Sequence, residues 1–510
     1  MRTYVLAAIT GILYFVSFAG FGIWPLAYVA LVPFLWALDP AVQLVPLRRR
    51  TVLLSGALFG LVLNIGGYYW VASTLKSFSG FSYVWCVLLA SILWAYQGLE
   101  MALFAWVYHR ARKSGANNLV AAVAAMSLAE WIFPTLFKHY FGASLHNTPL
   151  AIQVADLGGP LLVTALLTAA NAALYELSLA HRNGHIARRP VLVAAGLWAA
   201  TLGYGAYRIH EVDARAAAAP HIEVGMVQTN MGLTQKRDDP AEGLKRHVAQ
   251  SVELQKQKKL DLLVWPESAF GWFLPAELKN VRDVVFNEQI HVPTLFGGLA
   301  RRERDGKQRM YNTAFMTDAD GTIVGTYDKT FLLAFGEYIP FGDAFPALYD
   351  ISPNSGRFTP GDHVQPVPLG PYRIGVLVCY EDILPAFVRD TIRVGSPHVL
   401  VNVTNDAWFG DTHAPWEHLA LAKLRAVEHH RALVRSTNSG VSAVVDPVGR
   451  MLATSRVFTR ENLSAEVPML DVDSLYAIPG IGDFPGYLSL LALLGLAVRA
   501  RRRPRLSAPR

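Results

Sequence analysis

Tyr372-Arg-Ile-Gly-Val-Leu-Val-Cys-Tyr-Glu-Asp382 decides how the second half of this chain folds. An apolar run of this length, bounded by polar residues, predicts a strand buried on both faces. The run breaks into a turn at Cys379, so the thiol is expected at a strand end, held rigidly at the rim of a sheet. Two other polar residues stand in similar places: Glu267 in Leu262-Leu-Val-Trp-Pro-Glu-Ser268 and Lys329 in Thr326-Tyr-Asp-Lys-Thr330. A thiol, a carboxylate and an amine so placed point to covalent catalysis. Each also has a bland alternative. Glu267 can cap a strand end, Lys329 can be a solvated hairpin lysine, and Cys379 can be an inert buried thiol.

Around these residues, 220–475 has the composition of a soluble α/β domain, long enough to bury its own core. Strands are predicted at 222–229, 261–266, 293–299, 311–318, 322–327, 372–379, 398–404, 432–437 and 441–446. Helices are predicted at 241–258, 276–290, 383–395 and 415–430. Paired strands with short turns alternate with strand–helix units, which argues a two-layer sheet core flanked by helices. Ala216–Ala219 reads as a short linker or a helix extension, and no internal repeat is visible.

The remainder differs. Of the 510 residues 52% are hydrophobic and 17% charged, against about 25% charged in soluble domains. The deficit lies in 1–210 and near the C-terminus. With roughly 20 apolar residues needed per crossing, eight candidate transmembrane helices emerge: 4–20, 22–38, 52–72, 82–108, 118–137, 159–180, 190–208 and 484–499. The first two and the last are short. A second apolar span follows the first at once, without a clear cleavage site, so the first is not expected to be a signal peptide. Arg48-Arg49-Arg50, Arg110/Arg112/Lys113, Arg182/Arg188/Arg189 and the tail Arg499–Arg510 mark alternate loops, and basic residues collect on the cytoplasmic side. Both termini are therefore expected inside and 209–483 outside, with spans one to seven in 1–210 and the last span and basic tail in 484–510. The net charge of +7 is then mostly membrane topology, and no nucleic-acid partner is expected. Cys86, the other cysteine, falls in span four and cannot pair with Cys379.

Trp265-Pro-Glu267, Tyr327-Asp-Lys329, Phe335-Gly-Glu337-Tyr-Ile-Pro340 and Val378-Cys-Tyr-Glu-Asp382 together resemble the carbon–nitrogen hydrolase (nitrilase) superfamily. Fused to a membrane array, they closely resemble the apolipoprotein N-acyltransferase family of Gram-negative bacteria, over nearly the whole chain. The resemblance implies a nitrilase-like αββα sandwich in the periplasm, carried by the inner membrane. It implies Cys379 as nucleophile, Glu267 as general base and Lys329 as electrostatic stabiliser. Glu337, Tyr380 and Glu381 would support them. It further implies a phospholipid acyl donor, a diacylglyceryl-modified apolipoprotein acceptor and no cofactor. A membrane-anchored amidase or nitrilase-like hydrolase using water would carry an identical triad. A scaffold or transporter with a degenerate hydrolase domain is the non-enzymatic alternative, and the intact Glu, Lys and Cys speak against it.

The chemistry is coherent. A free thiol, with pKa near 8.5, needs help at neutral pH, and no histidine here has a motif around it. Glu267, buried behind Trp265-Pro266, can act as base. Lys329 can stabilise the thiolate and then an oxyanion. Phe335, Tyr338, Asn405 and Trp408 are candidate substrate contacts, although Asn405-Asp406 with Trp408-Phe409-Gly410 can equally be a plain turn. His413, Glu417 and His418 lack a convincing zinc spacing, so no metal is expected. Glu428 and His429-His430 read as structural or solvated.

The aromatic-rich stretches Ala269–Leu274, Phe331–Phe335 and Ile339–Phe345 can dip into a bilayer interface, or pack as ordinary core. Within the spans, Asn64, Gln97, Glu100, Glu130 and Glu176 read as interhelical hydrogen-bonders or lipid contacts. Gly66-Gly67 with Tyr68, Tyr69 and Trp70 suggests helix packing beside an interfacial aromatic belt. In one departure from the family, 228–238 holds no tryptophan.

Overall fold

The run at 372–378 does form a strand, and in the computed structural model it lies inside one of two sheets. Residues 1–184, 188–232, 235, 238–275, 277–351 and 355–502 are described. The strands, in chain order, are β1 (His221–Gln228), β2 (Leu262–Val264), β3 (Phe273–Leu274), β4 (Thr294–Arg304), β5 (Lys307–Thr317) and β6 (Ile323–Asp328), then β7 (Val367–Leu369), β8 (Tyr372–Val378), β9 (Val399–Thr404), β10 (Ala432–Thr437), β11 (Ala443–Val445), β12 (Met451–Thr454) and β13 (Glu461–Pro468). One sheet runs β13-β1-β2-β4-β5-β6 with β3 paired to β4; the other runs β12-β11-β10-β9-β8-β7.

Both sheets have a parallel centre and antiparallel flanks. β1, β2 and β4 are parallel neighbours, as are β8, β9 and β10. Parallel neighbours need crossovers, supplied by the helices Pro240–Gln257 between β1 and β2, Pro385–Gly395 between β8 and β9, and Ala414–His429 between β9 and β10. Proline stands in the first turn of each, where a missing N–H costs nothing. Asp239 caps the first by accepting from the Glu242 N–H at 3.0 Å.

Each sheet buries one face under helices. Val248 and Leu254 pack with Leu263, Trp265, Phe296 and Phe315. Val388, Ile392, Ala422 and Ala426 pack with Leu377, Leu400 and Leu433. The other faces meet: the Ser436 hydroxyl of β10 donates to the Val264 carbonyl of β2 at 3.3 Å. The result is a helix–sheet–sheet–helix sandwich, so the expected carbon–nitrogen hydrolase fold is present.

One expected helix is absent. Residues 277–290 make a series of turns, although Val281, Val285, Phe286 and Ile290 are buried as the apolar pattern requires. Asn280 bridges to Thr322, and the Val281 N–H donates to the Gly321 carbonyl at 2.8 Å. Asn287 and Glu288 then take positive φ. Pairing with the β5–β6 turn uses donors that a helix would have kept. Residue 276 lies outside the described residues, as do 233, 234, 236 and 237 of the 228–238 stretch and Arg503, Arg505 and Arg510 of the tail.

The chain divides into two compact units. One comprises Met1–Tyr69, Val87–Arg208 and Ile478–Arg510; the other comprises Trp70–Cys86 and Ile209–Ala477. Among the described residues, four helices are long and apolar enough to cross a membrane: Arg49–Gly67, Tyr83–Lys113, Ala155–Arg182 and Arg188–Ala218. Shorter apolar helical segments cover Arg2–Ser17, Trp24–Leu38, Asn118–Ile132 and Phe484–Arg499. Length and composition thus support four crossings, and the expected count of eight is not reached.

Inside the first unit, several polar residues hydrogen-bond between segments. Gln97 Nε2 donates to Asn64 Oδ1 at 2.8 Å, and Thr164 Oγ1 to Glu130 Oε2 at 2.8 Å. His139 Nε2 lies 3.3 Å from Glu100 Oε2. Gly66 is tightly packed, since a Cβ there would meet the Phe15 ring at 2.3 Å. Trp70 departs from the aromatic-belt expectation: it is buried, and its Nε1 donates to Glu417 Oε2 at 3.1 Å within the second unit.

Candidate active site

β8 ends at Val378, and Cys379 opens a tight turn with φ +53°. A non-glycine residue rarely adopts this left-handed conformation, and such positions collect at functional sites. The turn is held from within. The Glu381 carboxylate, fully buried, reaches back to the Val378 N–H at 2.8 Å. It also accepts from the N–H groups of Thr330 at 2.8 Å and Phe331 at 2.9 Å, and from the Tyr327 hydroxyl at 3.0 Å. One side chain therefore ties the end of β6, where Lys329 sits, to the turn of Cys379. Burial pushes the Glu381 carboxyl up to about 7, against the opposing pull of Lys329 and the three backbone donors.

Lys329 is not a solvated hairpin residue. It is buried, its N–H donates to the Asn312 carbonyl at 2.8 Å, and its Nζ lies 2.7 Å from Glu337 Oε2 and 3.9 Å from Glu267 Oε1. Burial works against the ammonium, but Glu337, Cys379, Glu267 and Glu381 outweigh it and hold Lys329 protonated above its ordinary range. Asn312 of β5 joins the two carboxylates: its Nδ2 donates to Glu267 Oε1 at 2.7 Å and Glu337 Oε1 at 2.9 Å. The Leu333 N–H fixes Glu337 Oε2 at 2.8 Å.

Glu267 stands on the turn after β2, with Ser268 at φ +50°. Gly297 of β4 lies directly beneath, where a Cβ would come within 2.6 Å of the Glu267 Cα.

The thiol itself departs from expectation. Burial, then the negative field of Glu267, push Cys379 well above the ordinary thiol range, and Lys329 only partly opposes them. The resting sulfur is thus a neutral thiol rather than a stabilised thiolate. A neutral thiol beside a carboxylate can pass its proton to that carboxylate as it attacks, while the lysine stays free to meet an oxyanion.

A second buried cluster lies behind the turn. His418 Nε2 is 2.7 Å from Asp382 Oδ1 and its Nδ1 is 3.0 Å from Asp406 Oδ1. Arg435 bonds Asp382 Oδ2 at 2.5 Å, Asp406 Oδ2 at 2.8 Å and Asn402 Oδ1 at 3.0 Å. Asn402 Nδ2 in turn donates to the Cys379 carbonyl at 3.0 Å. Burial weakens both cations, but the two aspartates outweigh it and raise His418 and Arg435 above their ordinary ranges. His418 is thus braced between carboxylates, and no group of His, Cys, Asp or Glu suited to a metal occurs among the described residues.

The remaining expected residues divide. Tyr380 is buried and stacks on Phe331, with ring centroids 5.9 Å apart. Phe335 is 56% exposed at φ +68°, and its N–H donates to the Tyr338 carbonyl at 2.7 Å. A cavity of about 1150 Å³ opens beside this segment, lined in part by Thr330, Phe331 and Tyr338. Asn405 is buried and accepts from Asn438 at 3.0 Å, while the Trp408 carbonyl accepts from Thr74 at 3.1 Å. Phe331, Phe341 and Phe345 are exposed, whereas Phe270 and Leu274 of the 269–274 stretch belong to the core. Glu428, paired with Arg425, and His429 are buried rather than solvated.

Sequence reasoning missed Asn312, Asn402 and Arg435. The available signal was clearest at Asn402 and Arg435, each a polar side chain interrupting an apolar run in a fully buried strand.

This fold and cluster agree with the chain's relatives. Residues 223–477 match the carbon–nitrogen hydrolase family, and residues 10–173 match the apolipoprotein N-acyltransferase N-terminal domain. The chain is 30% identical to the apolipoprotein N-acyltransferase of Geobacter metallireducens, over 93% of this chain and 91% of that one. It is also 30% identical to that of Bradyrhizobium diazoefficiens, over 97% of this chain and 95% of that one. The second unit is thus a carbon–nitrogen hydrolase domain. The chain as a whole belongs to the apolipoprotein N-acyltransferase family.

Proposed function

We propose that this protein moves an acyl chain from a phospholipid to the α-amine of a lipoprotein's N-terminal diacylglyceryl-cysteine, in two half-reactions through Cys379. The observation that carries the reading is the buried Lys329–Glu267–Asn312–Glu337 cluster tied, through Glu381, to the turn bearing Cys379.

In the first half, the sulfur attacks the ester carbonyl as Glu267 takes the thiol proton. Lys329 meets the negative charge forming on the carbonyl oxygen. The ester C–O bond breaks, the lysophospholipid oxygen takes the proton from Glu267, and a thioester remains. In the second half, the acceptor amine attacks the thioester and gives a proton to Glu267. The C–S bond breaks, and the sulfur recovers that proton. Glu337 positions the lysine. Eight crossings, both termini in the cytoplasm and residues 220–475 in the periplasm complete the proposal, supported by the alternation of basic loops.

The test is intact-mass measurement of the purified protein after incubation with phospholipid. Wild type is expected to gain the mass of one acyl group and Cys379→Ala none. An equal gain on both, or on neither, overturns the reading.

A further inference from the structure

The cavity beside the site carries a charge pattern that acyl transfer alone leaves unused. Arg301, Arg304, Arg309 and Arg357 line it, against Asp305 and Asp343. Arg304 pairs with Asp362 at 2.8 Å. Among the described residues the other three arginines pair with no carboxylate. Two are instead laid on aromatic faces: the Arg301 guanidinium lies 4.4 Å from the centroid of the Phe273 ring, and that of Arg357 4.2 Å from that of Tyr349. Stacking of this kind fixes the guanidinium plane while leaving its edge N–H groups free to donate, the geometry suited to a phosphate.

Phe331, Leu332, Ile339, Phe341 and Phe358 form an apolar part of the lining, beside the polar Gln308, Thr330 and Thr359. A ligand that uses both surfaces has a compact anionic group on an apolar body. Inorganic phosphate leaves the apolar wall uncovered, and an uncharged glyceride leaves the arginines without an acceptor. The volume, about 1150 Å³, exceeds that of pockets for drug-sized ligands, roughly 300–1,000 Å³. There is room for a headgroup, its glycerol and the start of the chains. Two lining residues neighbour the chemistry: Thr330 follows Lys329, and Phe331 stacks on Tyr380, which follows Cys379.

We propose that this cavity seats the phosphodiester of the acyl donor, with Arg301, Arg309 and Arg357 as its donors; this rests on the acyl-transfer reading above. The cluster selects a donor by its phosphate and holds the attached ester toward the thiol.

Two donors with the same acyl chains test this in uncharged detergent micelles: phosphatidylethanolamine and diacylglycerol. Wild type is expected to acylate Cys379 faster from the phospholipid. In Arg309→Gln and Arg357→Gln the phospholipid-to-diacylglycerol rate ratio should fall about tenfold each, the loss expected for one charge-assisted hydrogen bond. Arg309→Lys should keep part of the preference. An unchanged ratio in variants that melt like wild type overturns the site and leaves acyl transfer standing.

A second measurement does not depend on turnover or on the arginine variants folding. Full-length Cys379→Ala protein is titrated with a dialkyl ether analogue of phosphatidylethanolamine and with the matching dialkylglycerol. Binding of the ether phospholipid at least tenfold tighter supports the site, even if wild type takes no acyl group from either donor, in which case only the transfer reading fails. Equal affinity overturns the site. So does inorganic phosphate binding the protein without displacing the ether phospholipid.

Discussion

Burial raises the Cys379 thiol above its ordinary range, and Lys329 opposes that shift. Lys329 depends on Glu337 for its position, at 2.7 Å. Glu337→Gln should therefore lower the rate of acyl-enzyme formation by about 10²–10³-fold with little change in apparent donor affinity, since the lost contact acts on a transition-state charge. Single-turnover kinetics across donor concentrations separates the two.

Glu417 offers a different single-residue test. Burial pushes its carboxyl up to about 8, against the opposing hydrogen bond from Trp70. A carboxyl raised on folding binds its proton more tightly folded than unfolded. Its contribution to stability is full below the unfolded pKa, near 4.3, and is lost as pH rises through about 8. Glu417→Gln should therefore melt about 3 °C or more higher than wild type at pH 8.5, relative to their difference at pH 5. A pH-independent difference would sink this prediction. At this scale the placement of Glu267, Lys329 and Cys379 just after strand ends was legible. The neutral resting thiol was not, because burial is a property of the surrounding layers rather than of the flanking residues.

Among the elements, β4 and β10 carry the largest consequences. Gly297 of β4 leaves 2.6 Å between a hypothetical Cβ and the Glu267 backbone. Gly297→Ala should displace the Glu267 turn, cost about 1–3 kcal/mol of stability and lower acylation at least tenfold. Denaturant unfolding and acyl-enzyme assays read the two effects separately.

Arg435 of β10 neutralises two buried aspartates. Arg435→Met should cost about 3–5 kcal/mol, because it strands charges that burial penalises. Adding Asp382→Asn should recover part of that loss, and full additivity of the two changes would contradict the coupling. The strands around these residues were legible as apolar runs. Segment 277–290 was not, because its helix-like apolar spacing competes with hydrogen bonds to a turn some forty residues later, at Gly321 and Thr322. The edge strands β7, β12 and β13 carried too little apolar alternation to be read.

For the whole molecule, the proposed topology places the β4–β5 turn outside the inner membrane and the loop at Arg49 inside. Lys307 and Arg49 are both exposed. A membrane-impermeant maleimide should therefore label Lys307→Cys in intact spheroplasts and Arg49→Cys only after lysis. The reverse pattern would invert the orientation. The array of apolar segments was legible from composition, but the number of crossings was not, since four of the helical segments are shorter than a bilayer-spanning helix ordinarily is.

The bond from Trp70 to Glu417, with that from Thr74 to the Trp408 carbonyl, joins stretches more than three hundred residues apart. On a ribosome adding about 10 residues per second, the earlier stretch waits on the order of half a minute for its counterpart. A fragment excised from Ile209 onward would never receive it. Such a fragment should expose the Phe409 ring that Trp70 otherwise covers at 4.8 Å, and self-associate where the uncut chain does not.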